Sequence, residues 1–97
     1  MKSVRFHPEA LAELIAAAQY LEDQSPRLGL DFIAAIERTS KRIQQFPDVG
    51  RPFGRRLRRV LVPGFPYGII YRNDGQRTLI VAVAHSSRRP GHWRSRA

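Results

Sequence analysis

Apolar residues in the first half of the chain recur at steps of three and four positions, the spacing of one face of an α-helix. Pro8 and Glu9 suit a first turn, because proline's missing N–H is not needed there and a carboxylate stabilises the positive helix end. The pattern predicts a first helix over residues 8–23 and a second that Ser25 caps and Pro47 ends. The two stripes are Leu11, Leu14, Ile15, Ala18 and Leu21, then Phe32, Ile33, Ile36, Ile43 and Phe46.

The second half changes to short apolar runs separated by turn signals, which predicts strands. We expect them over residues 57–62, 67–72 and 78–84, divided by Pro63-Gly64 and Asn73-Asp74-Gly75. The last of the three is apolar on both faces, so it should be an interior strand. Residues 4–6 alternate and predict one more short strand at the start of the chain.

The predicted order is therefore β-α-α-β-β-β, an α+β fold. An antiparallel helix hairpin would pack on one face of an antiparallel sheet. At 97 residues the chain is expected to form a single domain. Residues 86–97 are polar, basic and non-periodic, and we expect a tail that Trp93 alone could order by docking.

Charge divides the chain into two unlike halves. Residues 1–50 carry 6 basic and 7 acidic side chains, net −1, whereas residues 51–97 carry 11 arginines and one acid, net +10. Arginine grips phosphate or carboxylate through two parallel hydrogen bonds, so the second half is expected to bind something anionic.

Composition also narrows the function classes. There is no cysteine, which excludes disulfides, thiolate zinc sites and cysteine nucleophiles and fits a reducing cytosol. His85 and His92 are seven apart with no nearby carboxylate, so no metal site is expected, and no cofactor motif is present. No segment has the length of a signal or a membrane span, so a cytoplasmic protein without membrane contact is expected.

Five arginines fall within nine residues: Arg51, Arg55, Arg56, Arg58 and Arg59. On a regular strand Arg58 and Arg59 point to opposite faces. Charges protect an exposed sheet edge against pairing, but five exceed what that protection needs, so we favour a binding role.

Two further groups are candidates. Phe65, Tyr67 and Tyr71 could stack on a partner, or they could cover the end of the core. His85 lies where the interior strand ends, and could exchange a proton with a 2′-hydroxyl while Arg88 or Arg89 holds the phosphate. A histidine that only hydrogen-bonds a nearby loop is the alternative that we favour.

In order and spacing, several segments resemble the ParE/RelE superfamily of toxins from bacterial toxin–antitoxin modules. They are Phe6-His7-Pro8-Glu9-Ala10, Phe46-Pro47-Asp48-Val49-Gly50-Arg51-Pro52, Phe65-Pro66-Tyr67-Gly68-Ile69-Ile70-Tyr71, and Ala82-Val83-Ala84-His85-Ser86-Ser87-Arg88-Arg89-Pro90 with Trp93 and Arg96. The resemblance implies a cytoplasmic growth inhibitor held inactive by a cognate antitoxin, in a toxin–antitoxin hetero-oligomer. Antitoxins of such modules present an acidic, amphipathic segment, which a +10 half would attract.

The Phe-Pro-Tyr and His-x-x-Arg-x-Pro segments resemble ParE-like, plasmid-stabilisation members, which are described as inhibitors of DNA gyrase without cleavage residues. Contact residues for the target or antitoxin are then expected among Arg55, Arg56, Arg58, Arg59, Tyr71, Arg88, Arg89, Trp93 and Arg96. RelE-like members instead cut messenger RNA on the ribosome, commonly with a tyrosine near the C-terminus, and no tyrosine follows Tyr71 here. Should the chain be such a nuclease, His85, Arg59 and Arg88 are the candidates. An inactive member that only binds its antitoxin is a third possibility.

Overall fold

A computed structural model describes residues 3–87, residue 91 and residues 93–96. Two helices pack on one face of a five-stranded sheet, and the predicted α+β class is confirmed. The elements are β1 (Ser3–Phe6), α1 (Pro8–Gln24), α2 (Leu28–Gln45), β2 (Arg51–Pro52), β3 (Arg58–Leu61), β4 (Tyr67–Asp74), β5 (Arg77–His85) and a 3-10 turn at Arg94–Arg96.

The junction between the helices differs from the prediction that Ser25 caps the second helix. Ser25 instead ends α1, where its N–H donates to the Leu21 carbonyl at 3.1 Å. Two N–H groups at the start of α2 donate to the Glu22 carboxylate, that of Arg27 at 2.9 Å and that of Gly29 at 3.0 Å. A side chain from the preceding helix thus satisfies donors that a local cap usually satisfies.

The strands run in the order β1-β5-β4-β3-β2. From β2 to β5 they form the predicted antiparallel meander, and β5 is an interior strand as expected. β1 pairs with β5 in parallel, which makes the complete sheet mixed rather than antiparallel. The helix hairpin carries the chain from β1 at one edge of the sheet to β2 at the other edge. The meander then returns toward β1, so that β5 pairs with it in parallel across a long connection. β2 is an additional two-residue strand that the apolar pattern did not predict.

A β-bulge interrupts the pairing of β4 with β5. Ile70 pairs with Ala82 while Tyr71 pairs with Ile80, so Val81 is the extra residue. Val81 and Ala82 consequently both pack on the sheet face away from the helices.

Each sheet face carries a buried cluster. The larger lies under the helices and contains Phe32, Ile36, Ile69, Tyr71 and Ile80 among others. The smaller lies on the opposite face, where Trp93 returns to pack against Phe53 at a ring-centroid distance of 5.6 Å. Trp93 is only 4% exposed, so the docking that was considered for the tail does occur. We call residues 93–96 the C-terminal strap.

α1 buries part of the stripe predicted for it, since Leu14, Ala18 and Leu21 face the core. Ala10, Ala17, Ala18 and Leu21 are buried, whereas Leu11 and Ile15 are about half exposed, at 45% and 50%. Small alanines let the helix approach the sheet closely, and periodicity alone could not rank them above the larger apolar residues.

Candidate functional site

The five arginines predicted to bind a partner lie together on β2, β3 and the loop that joins them. We call Arg51, Arg55, Arg56, Arg58 and Arg59 the arginine cluster. A hydrogen bond from the Phe53 N–H to the Leu57 carbonyl, at 2.8 Å, closes the loop. Gly54 and Arg56 adopt left-handed backbone angles in it, with φ of 79° and 63°. The tight loop therefore displays Arg55 and Arg56 at the edge of the sheet.

Three members of the cluster are available to a partner. Arg51, Arg55 and Arg56 are exposed, and none of them forms an ion pair with any other described residue. Exposed cations that lack internal carboxylates keep their whole charge for an anionic partner.

Arg58 and Arg59 point to opposite faces of the sheet, as predicted. Arg58 is held on the helix side, where its Nη1 donates to the Gly50 carbonyl at 2.7 Å and its Nη2 lies 3.6 Å from the Asp48 carboxylate. The Asp48 side chain is 86% exposed, so this ion pair is weak. Arg59 lies on the other face, with its guanidinium carbon 4.8 Å from the centre of the Phe53 ring.

Tyr71 is buried rather than available for contact, which corrects its assignment as a binding residue. Its hydroxyl donates to the Pro47 carbonyl at 2.6 Å and accepts from the Gly50 N–H at 3.0 Å. Burial raises the pKa of Tyr71, while the Gly50 hydrogen bond and the Arg58 charge lower it by less. Gly50 is needed at this point, because a Cβ there would lie 2.8 Å from the tyrosine hydroxyl. Tyr71 therefore fixes the loop that leads into Arg51.

Arg96 is also an internal residue, contrary to the sequence-based expectation. Its side chain is 10% exposed and its Nη1 donates to the Glu13 carboxylate at 2.9 Å and to the Val81 carbonyl at 3.1 Å. Glu9 lies 3.3 Å from its Nε. Trp93 is buried as well, so the C-terminal strap belongs to the scaffold. Arg88 and Arg89 lie outside the described residues.

His85 lies at the end of β5, half-buried, with its ring edge-on to Tyr67 at 5.1 Å. Its Nδ1 accepts from the Ser87 N–H at 3.1 Å and lies 2.7 Å from the Ser87 hydroxyl. Because a backbone N–H can only donate, Nδ1 is the unprotonated nitrogen of a neutral His85. This local hydrogen bond is the structural role that we favoured for the residue.

A hollow of about 250 Å³ opens on the sheet face away from the helices. Arg59 and His85, both candidates for a nuclease site, line it, with Phe53, Leu61, Gly68 and Trp93 among the other lining residues. Within the described residues, no group of three histidines or carboxylates could hold a metal ion. None of the described helices is long and apolar enough to cross a membrane.

A family model described as the ParE toxin of the type II toxin–antitoxin system, parDE, matches residues 4–90. The chain belongs to the ParE toxin family. No curated protein sequence matches it. A solved structure described as the chromosomal ParDE TA system from P. aeruginosa is similar, with a TM-score of 0.79 and 22% sequence identity over 88% of this chain and 96% of that chain. At that identity the similarity shows the shared fold.

The family match covers the arginine cluster and His85 of this ParE-family toxin and ends before the C-terminal strap. Sequence reasoning missed three residues that shape the site: Glu13, Phe53 and Gly68. Glu13 accepts from both Arg96 and the Val83 N–H, the latter at 3.1 Å. Two of the three carried a signal: Glu13 is a carboxylate on the inner side of α1, and Gly68 is a strand glycine, which often marks a close approach of another group.

Proposed function

We propose that this chain stops bacterial growth by binding DNA gyrase in the cytoplasm without covalent chemistry, and that an acidic antitoxin segment neutralises it. Membership of the ParE toxin family supports this proposal. The observation that carries it is the arginine cluster, in which three exposed guanidinium groups have no ion pair within the described residues. Such a surface attracts polyanionic complexes and acidic proteins at long range.

The geometry of His85 supports binding over catalysis. A general base needs an unprotonated nitrogen that faces the substrate, and Nδ1 of a neutral His85 is bound to Ser87. Nε2 then carries the proton and can only donate. The ring is therefore better suited to holding the loop after β5 than to accepting a proton from a 2′-hydroxyl.

The same charges support neutralisation by an antitoxin. An acidic, amphipathic segment would pair its carboxylates with the arginine cluster and its apolar side with exposed residues such as Leu61, which is 59% exposed. Rim charges of this kind mainly raise the association rate, so antitoxin binding should slow as salt increases.

Ribosome-dependent RNA cleavage is the second candidate, because Arg59 and His85 line the same hollow. In that case Arg59 would hold the scissile phosphate while His85 took the proton of the 2′-hydroxyl during its in-line attack on phosphorus. The bond from phosphorus to the 5′-oxygen would break, leaving a 2′,3′-cyclic phosphate and a 5′-oxygen that takes up a proton from water. The Ser87 hydrogen bond would then have to break before His85 could act as a base.

A side-by-side assay separates the two functions. Wild-type toxin and the His85→Ala variant are compared in a gyrase supercoiling assay and in a translating-ribosome assay that detects cut messenger RNA. We expect both proteins to inhibit supercoiling and to leave the RNA intact. RNA cut by the wild type but not by His85→Ala would establish the nuclease instead, and absence of gyrase inhibition at micromolar toxin would reject the first proposal.

A further inference from the structure

The hollow on the sheet face away from the helices is lined by the Arg59 guanidinium, which forms no ion pair with a described carboxylate. Arg58, Arg72 and Arg96 each lie within ion-pair distance of an aspartate or glutamate. Arg59 is half-buried and has no such partner among the described residues; its described contact is with the Phe53 ring. A half-buried cation held only by an aromatic face keeps its N–H groups for an incoming anion.

Gly68 on the neighbouring strand leaves space for the side chain of Arg59. A Cβ at Gly68 would lie 3.3 Å from Cγ and 3.4 Å from Cδ of Arg59. The glycine thus leaves room for the Arg59 stem, whose guanidinium lies over the Phe53 ring. Fewer side-chain rotamers then remain to be frozen when a ligand binds.

The surroundings of the guanidinium are mainly apolar. Ile70 and Trp93 are buried in the hollow, and Leu61 stands exposed at its edge. The volume of about 250 Å³ is below that of ordinary small-molecule sites. It suits one or two amino-acid side chains rather than a nucleotide with its base, sugar and phosphate.

We propose that this hollow is a receptor for an acidic residue that neighbours an apolar one in an extended partner segment. The carboxylate pairs with the Arg59 guanidinium through two parallel hydrogen bonds, and the apolar neighbour covers the exposed side chain of Leu61. The identity of the partner, an acidic antitoxin, rests on the proposed function. The preference of the hollow for a carboxylate rests only on residues of this chain.

The charge of the site favours a peptide over a nucleic acid. Binding to nucleic acid draws on several phosphate contacts, whereas the described residues bring a single unpaired guanidinium into this hollow. A lone carboxylate matches that one charge, and the apolar rim adds area that a phosphate would not use.

The test uses the isolated toxin and small probes, followed by NMR of the Arg59 Nε–H and the Gly68 amide. The probes are N-acetyl-Leu-Glu-amide, its uncharged counterpart N-acetyl-Leu-Gln-amide, inorganic phosphate and the dinucleotide dTpdT. We expect the glutamate peptide to shift both signals, and to bind about tenfold more tightly than the glutamine peptide.

Three variants locate the effect. Arg59→Gln is expected to weaken the glutamate peptide about tenfold, and Arg59→Lys, which keeps the charge but loses the fork, to weaken it by a smaller factor. Arg38→Gln, an exposed arginine on α2 outside both the hollow and the arginine cluster, is the matched control and should bind as the wild type does. Retained folding is checked from the amide spectrum of each variant.

Equal binding of the two peptides, or equal loss in Arg38→Gln, would overturn the proposal. Tighter binding of phosphate or dTpdT at the same signals would also overturn it, and would assign the hollow to nucleic acid. A negative gyrase assay alongside a positive peptide titration would reject the proposed target and leave this site standing.

Discussion

Replacing Tyr71 with phenylalanine removes the oxygen atom that joins β4 to the loop between α2 and β2. The hydroxyl on β4 donates to the Pro47 carbonyl at 2.6 Å and accepts from the Gly50 N–H at 3.0 Å. Both partners lie in the loop between α2 and β2, directly before the arginine cluster. The substitution keeps the aromatic ring, so its effect isolates the two hydrogen bonds.

The expected cost is about 2–3 kcal/mol of unfolding free energy. Each hydrogen bond contributes about 1 kcal/mol net, and a buried N–H left without an acceptor costs about 1–3 kcal/mol. Tyr71 is fully buried and Gly50 is buried, so water does not readily replace the lost acceptor. For a domain of this size the melting temperature should fall by roughly 10–20 °C.

Urea unfolding followed by circular dichroism measures the change, with thermal melting as a second readout. Tyr20→Phe is the matched control, because Tyr20 is 59% exposed and should lose less than about 0.5 kcal/mol. A loss below about 0.5 kcal/mol in Tyr71→Phe would refute the argument that Tyr71 anchors the loop.

Further predictions concern the same contacts and the C-terminal strap. Gly50→Ala should destabilise the fold by about 1–3 kcal/mol in urea unfolding, because the added Cβ would meet the Tyr71 ring at 2.8 Å; a neutral effect would contradict the close contact. A double-mutant cycle of Glu13→Gln and Arg96→Met should give a coupling energy of about 1–3 kcal/mol. Additive effects would mean that the Glu13–Arg96 ion pair does not hold the C-terminal strap in place. Burial raises the pKa of Tyr71 above 10. The contribution of the neutral Tyr71 side chain to the unfolding free energy is therefore fully present below pH 10, and it is lost as pH rises through the folded-state pKa. Unfolding free energy measured from pH 8 to pH 11 should therefore fall more steeply in the wild type than in Tyr71→Phe, and equal slopes would contradict this.

The order of the two helices and of the four longer strands could be predicted from local patterns alone, whereas the two-residue β2 was missed. Residues such as Pro8 and Pro47, and the change from a helical to a strand period, mark boundaries through short-range physics. Ser25 misled the prediction because a serine before a proline suits a helix start, but the donors at the start of α2 are bound by Glu22 from the other helix. The parallel pairing of β1 with β5 likewise depends on how the hairpin packs, which no local signal reports.

For the candidate site too, local features could be predicted from the sequence, whereas features that depend on distant residues could not. Strand alternation correctly placed Arg58 and Arg59 on opposite faces, because a period of two is a local property. The internal role of Arg96 depends on Glu13, 83 residues earlier in the chain. Tyr71 likewise depends on a loop more than twenty residues away. The sequence alone does not distinguish one arginine of a basic segment from another. Contacts with residues distant in the chain decide which arginines stabilise the fold and which remain available to a partner.

Growth arrest caused by two charge-matched triple variants tests the central claim most directly. Arg51, Arg55 and Arg56 are changed to glutamine in one variant; in the other, the exposed Arg5, Arg38 and Arg77 outside the arginine cluster are changed instead. Each loses three positive charges, so net charge cannot explain a difference between them. After induction in a bacterial host, with equal amounts of folded protein, we expect the second variant to arrest growth like the wild type and the first to permit it. Equal arrest by both would contradict the account.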